Sequence, residues 1–109
     1  MLKGLAMNTR KQILQRLKNQ YPYLSDNFGV TKIGIFGSVA KEMEDENSDI
    51  DIVVEFKKPV GFKFIELSDY LEGLFQAKVD LLTQDGIDNI RIKSIADDIR
   101  RNIIYVQAK

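Results

Sequence analysis

The chain reads as an α+β protein, a small mixed β-sheet with helices packed on one face. Three observations predict this. The apolar runs TKIGIF, DIDIVVEF and KVDLLT are short and rich in β-branched residues; the stretches around them repeat apolar residues at helical spacing; and Gly, Pro, Asn and Asp cluster at the boundaries. At 109 residues, 1–109 is expected to form one domain, of a size that buries about two-thirds of its unfolded surface.

Taken in order, Thr9 and Gln12 form a capping box ahead of Ile13, Leu14 and Leu17, and Pro22 follows, so a first helix is expected over about 9–20. The stretch 21–29, which holds Pro22, Ser25, Asp26, Asn27 and Gly29, reads as a loop. TKIGIF, residues 31–36, makes the first strand, residues 38–43 a short helix, and Glu44, Asp45 and Glu46 an acidic linker. DIDIVVEF, residues 49–56, makes the second strand, and Pro59 and Gly61 break it. Phe64, Leu67, Leu71, Leu74 and Phe75 recur at helical spacing over about 62–76 and are assigned to the core. KVDLLT, residues 78–83, is the third strand. Asp85 and Gly86 then turn the chain, Asp88 can cap, and Ile92, Ile95, Ile99 and Ile103 form a stripe on a last helix that packs on the sheet or reaches a partner.

The chemistry-bearing residues sit at the ends and middles of these strands. Gly37 and Ser38 close the first strand, and after a ten-residue gap come Asp49 and Asp51. Period-two alternation puts Asp49, Asp51, Val53 and Glu55 on one face of the second strand and Ile50, Ile52, Val54 and Phe56 on the other. The two aspartates then lie roughly 6.6 Å apart at their α carbons, where repulsion reaches about 2–3 kcal/mol at an effective dielectric near 20. A cation between them removes that cost. Asp80, between Val79 and Leu81, points away from its apolar neighbours and can join the first pair. Three converging carboxylates suit hard divalent ions, and Mg²⁺ usually combines a few carboxylates with substrate phosphates. Gly37 lets the backbone turn tightly and approach a ligand, Ser38 offers a hydroxyl, and a helix starting there turns free N–H groups toward phosphates. Phosphoryl or nucleotidyl transfer asks mainly for such positioning and charge neutralisation. Alone, a D-x-D is an ordinary solvated strand start and a Gly-Ser pair ordinary turn chemistry; the combination carries the argument. A calcium loop starting at Asp45 fails, because Ile50 stands where glycine is required and Phe56 where the bidentate Glu belongs.

Sixteen basic and sixteen acidic residues balance, so nucleic acid is not expected as a stable partner. Without cysteine or histidine there is no disulfide framework, thiolate site or imidazole base. Any base is a carboxylate, a lysine or water. No run approaches the roughly 20 apolar residues of a membrane span, and the first residues lack an apolar segment of signal-peptide length, so no membrane association and a cytoplasmic location are expected. Tyr21, Tyr23, Tyr70 and Tyr105 receive no role.

On Gly37, Ser38, Asp49, Asp51 and Asp80, over about Thr31 to Asp85, the chain resembles the minimal nucleotidyltransferase branch of the DNA polymerase beta-type superfamily, whose signature is G-S-x10-D-x-D plus a third acid on a later strand. The resemblance implies the nucleotidyltransferase fold, with Asp49 and Asp51 ligating two Mg²⁺ ions, Asp80 completing one metal site and helping to deprotonate the acceptor, and Gly37, Ser38 and Lys41 binding the triphosphate of ATP. It also implies an antitoxin that transfers AMP to a tyrosine of a HEPN-domain toxin. Relatives commonly continue G-S-x-A-R-G, whereas this chain has Val39-Ala40-Lys41-Glu42 after Gly37-Ser38. Lys41 keeps the charge without arginine's planar fork, and Glu42 adds a negative charge where glycine would be.

Two other readings stand beside this one. A binding module could neutralise its partner by docking alone, using the apolar C-terminal stripe that ends NIIYV. Transfer to a small molecule such as an aminoglycoside would need a larger acceptor pocket, which a homo-oligomer could build. The fold and an acid triad do not fix the acceptor.

Overall fold

A computed structural model of the chain describes residues 9–41, 49–58 and 61–106. Residues 42–48, which hold the end of the short helix expected over 38–43 and the acidic linker of Glu44, Asp45 and Glu46, lie outside the described residues, as does Pro59. Helix α1 spans Arg10–Phe28 and opens on the expected capping box, with Thr9 accepting from the Gln12 N–H at 3.2 Å and the Gln12 side chain accepting from the Thr9 N–H at 3.1 Å. It does not stop before Pro22. The helix runs through that proline and ends at Gly29, whose φ of 72° places it in the left-handed region. A proline inside a helix costs about 3 kcal/mol. Continuing past it buries Leu24 and Phe28 on the stripe begun by Ile13 and Leu17, at about 1.5–3 kcal/mol for each side chain. The burial outweighs the break, and the loop expected at 21–29 is helix.

Strand β1, Val30–Phe36, pairs antiparallel with β2, Ile50–Phe56. Between them the four-residue helix α2, Gly37–Ala40, leaves the end of β1. Helix α3, Lys63–Phe75, buries Leu67, Leu71 and Phe75 and carries the chain to β3, Val79–Thr83, which lies parallel to β2. Arg16 of α1 donates to the carbonyl of Leu74 at 3.1 Å and ties the two long helices together.

The sheet has a fourth strand beyond the three expected. β4, Ile104–Tyr105, joins β1 antiparallel at the other edge, giving the order β3-β2-β1-β4. It needs Gly34 opposite it, because a Cβ there would lie 2.5 Å from the Ile104 carbonyl oxygen and 2.9 Å from the Tyr105 Cα.

The mixed sheet carries its main helical layer on one face, where α1 and α3 pack on Ile33, Ile35, Ile52, Val54 and Val79. The chain between β3 and β4 also covers part of the other face. It forms α4, Gln84–Asp88, and α5, Lys93–Asn102, which pack through Ile87 and Ala96 on Phe36 and Val53. Asp85 and Gly86, expected as a turn, lie inside α4. Thr83 caps that helix by accepting from the Gly86 N–H at 2.9 Å, so Asp88 does not cap and instead pairs with Arg100 at 2.6 Å. Of the isoleucine stripe, Ile99 and Ile103 reach this second core while Ile92 and Ile95 stay exposed, because α5 turns Ala96, not the stripe's leading residues, toward the sheet.

Candidate active site

Alternation along β2 sends Ile50, Ile52 and Val54 into the core beneath α1 and α3, and so turns Asp51, Val53 and Glu55 to the opposite face. The register of the sheet does the rest. Asp51 sits beside Asp80 of β3 in the parallel pairing and beside Phe36 of β1 in the antiparallel one. Val79 and Leu81 face the large core, so Asp80 emerges on the same side as Asp51. Asp49 stands one residue ahead of β2, half-buried.

Gly37 follows Phe36 with a φ of 70°, a conformation that favours glycine. The carboxylate of Asp51 packs directly on it: an added Cβ would come within 2.1 Å of Asp51 Oδ2. The Gly-Ser turn and the D-x-D strand are therefore in van der Waals contact, although ten residues separate the two motifs in the sequence.

Burial, followed by the charges of Asp80 and Asp49 and a hydrogen bond with Asp80, raises the Asp51 carboxyl to about 6. The shift marks a concentration of negative charge in a partly desolvated corner. Among the described residues, no three acidic side chains are gathered closely enough to enclose an ion as they stand. Asp51 and Asp80 are in contact, and Asp49 reaches Asp51 through its charge. The donor chemistry nevertheless fits a hard divalent cation, since all three side chains offer carboxylate oxygens and a cation would offset the repulsion from Asp80 and Asp49 that adds to burial in raising Asp51. These are the residues that could hold one.

Ser38 is half-buried in α2, next to Gly37. Lys41 follows α2 as its C-terminal cap and lies 3.1 Å from Asp98 of α5. The structure thus brings Gly37, Asp51 and Asp80 together, leaves Asp49 within charge reach of Asp51 and Ser38 next to Gly37 in the chain, and engages Lys41 with an acid. Asp98 was missed by the sequence reasoning. It is 57 residues from Lys41, and nothing local marks it.

Comparison with known proteins identifies the family and the fold. The nucleotidyltransferase domain family matches residues 11–106. Protein adenylyltransferase MntA of Thermococcus cleftensis is 38% identical over 103 residues, covering 94% of this chain and all of that protein. A solved structure provisionally named a minimal nucleotidyltransferase superposes with a TM-score of 0.69 at 25% identity, covering 88% of this chain and 94% of its own. A likeness of fold, at 18% identity and a TM-score of 0.56, extends to the complex of a tri-AMPylated Shewanella oneidensis HEPN toxin with an MNT antitoxin, covering 88% of this chain and 73% of that one. The chain belongs to the nucleotidyltransferase domain family, with MNT protein adenylyltransferases among its relatives. The enzyme class expected from the motif is thus borne out. Among the described residues, no helix is long and apolar enough to cross a membrane.

Proposed function

We propose that the chain is an antitoxin that transfers AMP from ATP to a tyrosine hydroxyl of a HEPN-domain toxin, with Mg²⁺. The observation that carries this reading is the register that sets Asp51 beside Asp80 and against Gly37. The adenylyltransferase name of the Thermococcus cleftensis relative and the AMPylated toxin in the fold neighbour support it. Asp49, Asp51 and Asp80 would hold two Mg²⁺ ions, which when bound supply charge neutralisation on the triphosphate and the leaving group. Gly37 and Ser38 hold the triphosphate close to the backbone, with Lys41 as its cationic contact. The tyrosine oxygen bonds to the α-phosphorus as the bond from that phosphorus to the bridging oxygen breaks, and pyrophosphate leaves with the electron pair. Asp80, which is exposed, accepts the hydroxyl proton.

A second reading, neutralisation by docking without transfer, is favoured by the ion pair that occupies Lys41. Intact mass separates the two. The candidate partner is incubated with ATP, Mg²⁺ and either the parent chain or its Asp49→Ala, Asp51→Ala variant. Mass gains of one or more AMP units with the parent alone are expected. A stable complex formed by both proteins without any gain would overturn transfer in favour of docking.

A further inference from the structure

We infer that Asp98 restrains Lys41 and thereby sets the affinity of the site for triphosphate, an inference that rests on the nucleotidyl-transfer reading. The backbone around Lys41 is fixed from two sides. Arg10 Nη1 of α1 donates to the Ala40 carbonyl at 2.9 Å, and the Lys41 N–H donates to the Gly37 carbonyl at 3.2 Å. What remains adjustable is the lysine side chain, a flexible four-carbon stem with a point charge at its end. That charge is taken. Lys41 Nζ lies 3.1 Å from Asp98 Oδ2, while Asp98 Oδ1 is held by Asn102 Nδ2 at 3.3 Å and lies 3.7 Å from Arg101. Asn102 also donates to the Asp98 backbone carbonyl at 2.8 Å, so the carboxylate is aimed at Lys41 by its own helix.

Lys41 stands three residues after Ser38, on the element that leaves the Gly-Ser turn. An ammonium there can serve a triphosphate only by leaving Asp98 or by sharing itself between the two anions. Both routes weaken its contribution. Asp98 is therefore a positioning residue, which acts on nucleotide through Lys41. The sequence departure and the ion pair then have one account, because a lysine can swing between partners where a planar arginine fork would be held more rigidly.

Calorimetric titration of the intact chain with Mg-ATP tests this, together with steady-state transfer. Lys41 and Asp98 are both partly exposed, so releasing the pair is expected to be worth a factor of about two to five in affinity. Asp98→Asn, which keeps the shape and the Asn102 contact, should lower Kd and KM for Mg-ATP by that factor and leave kcat within twofold. Lys41→Met should weaken binding, and adding Asp98→Asn to it should change nothing further. Asp97→Asn removes a carboxylate that pairs with Lys93 and Arg100 instead, and should leave Kd unchanged. Should Asp98→Asn fail to fold, Asp98→Ser carries the same expectation.

An unchanged or raised Kd in Asp98→Asn overturns the inference, as does an equal tightening in the Lys41→Met background or in Asp97→Asn, which would mean bulk charge. A parent chain that shows no saturable Mg-ATP binding overturns the transfer reading itself and this inference with it. Saturable binding that ignores Asp98 overturns this inference alone.

Discussion

Replacing Asp51 by Asn should make the folded chain more stable at neutral pH while abolishing transfer. A carboxyl whose pKa is higher in the fold than in the unfolded chain favours folding while it is protonated. For Asp51, with an ordinary value of 3.8 raised to about 6, that contribution is complete below pH 3.8 and lost as pH rises through about 6. Above that pH the ionised group is held against burial and against Asp80 and Asp49. The shift corresponds to about 3 kcal/mol at most, and because Asp51 is only half-buried, screening by solvent reduces it to about 1–2 kcal/mol. Asn keeps the shape and removes the charge. The variant should therefore gain roughly 5–10 °C in melting temperature at pH 7.5 and lose that advantage near pH 4. Thermal denaturation at both pH values, without divalent cation, reads the effect, and intact-mass assay of the partner reads transfer. A variant no more stable than the parent at pH 7.5, or one equally advantaged at pH 4, would refute the assignment of Asp51 as a charge held against burial and the neighbouring carboxylates.

Three further substitutions probe the frame of the site. Gly37→Ala forces a Cβ to within 2.1 Å of Asp51 Oδ2 at a φ of 70°; transfer should fall by about a hundredfold, as for a misplaced reacting group, and activity near the parent's would show that the Gly37–Asp51 contact is dispensable. Gly34→Ala meets backbone atoms of Ile104 and Tyr105, which can give way only by moving the strand, so it should detach β4 at a cost of about 1–3 kcal/mol. Hydrogen exchange at the Val106 N–H, which donates to the Ile33 carbonyl at 2.9 Å, should quicken; unchanged protection would contradict the close approach. Pro22→Ala restores a helical N–H in α1 and should stabilise the chain by about 1–3 kcal/mol; chemical denaturation measures it, and a loss of stability would mean that the proline stabilises the fold through the unfolded chain.

Local pattern alone decided much of the site. The period-two alternation of residues 49–56 assigned Asp49 and Asp51 to one face and the isoleucines to the other, and within β2 the structure keeps that division for Asp51, Ile50 and Ile52, because one slip would have put Asp51 in the core. The same logic placed Asp80 opposite Val79 and Leu81. The helical spacing of Leu67, Leu71 and Phe75 likewise marked α3, whose burial follows the stripe.

What the chain could not declare was everything set by partners far apart in sequence. Whether Asp80 stands beside Asp51 depends on the parallel register across α3. The dependence of Gly37 on Asp51, like that of Lys41 on Asp98, is visible only once the elements are folded together. Pro22 misled for the same reason, since a local breaker was overridden by burial of Leu24 and Phe28 against the sheet. β4 has only two residues and no pattern of its own; it exists because Gly34 leaves room beside β1. Periodicity fixes which side of an element a residue faces, and only tertiary packing determines what it meets there.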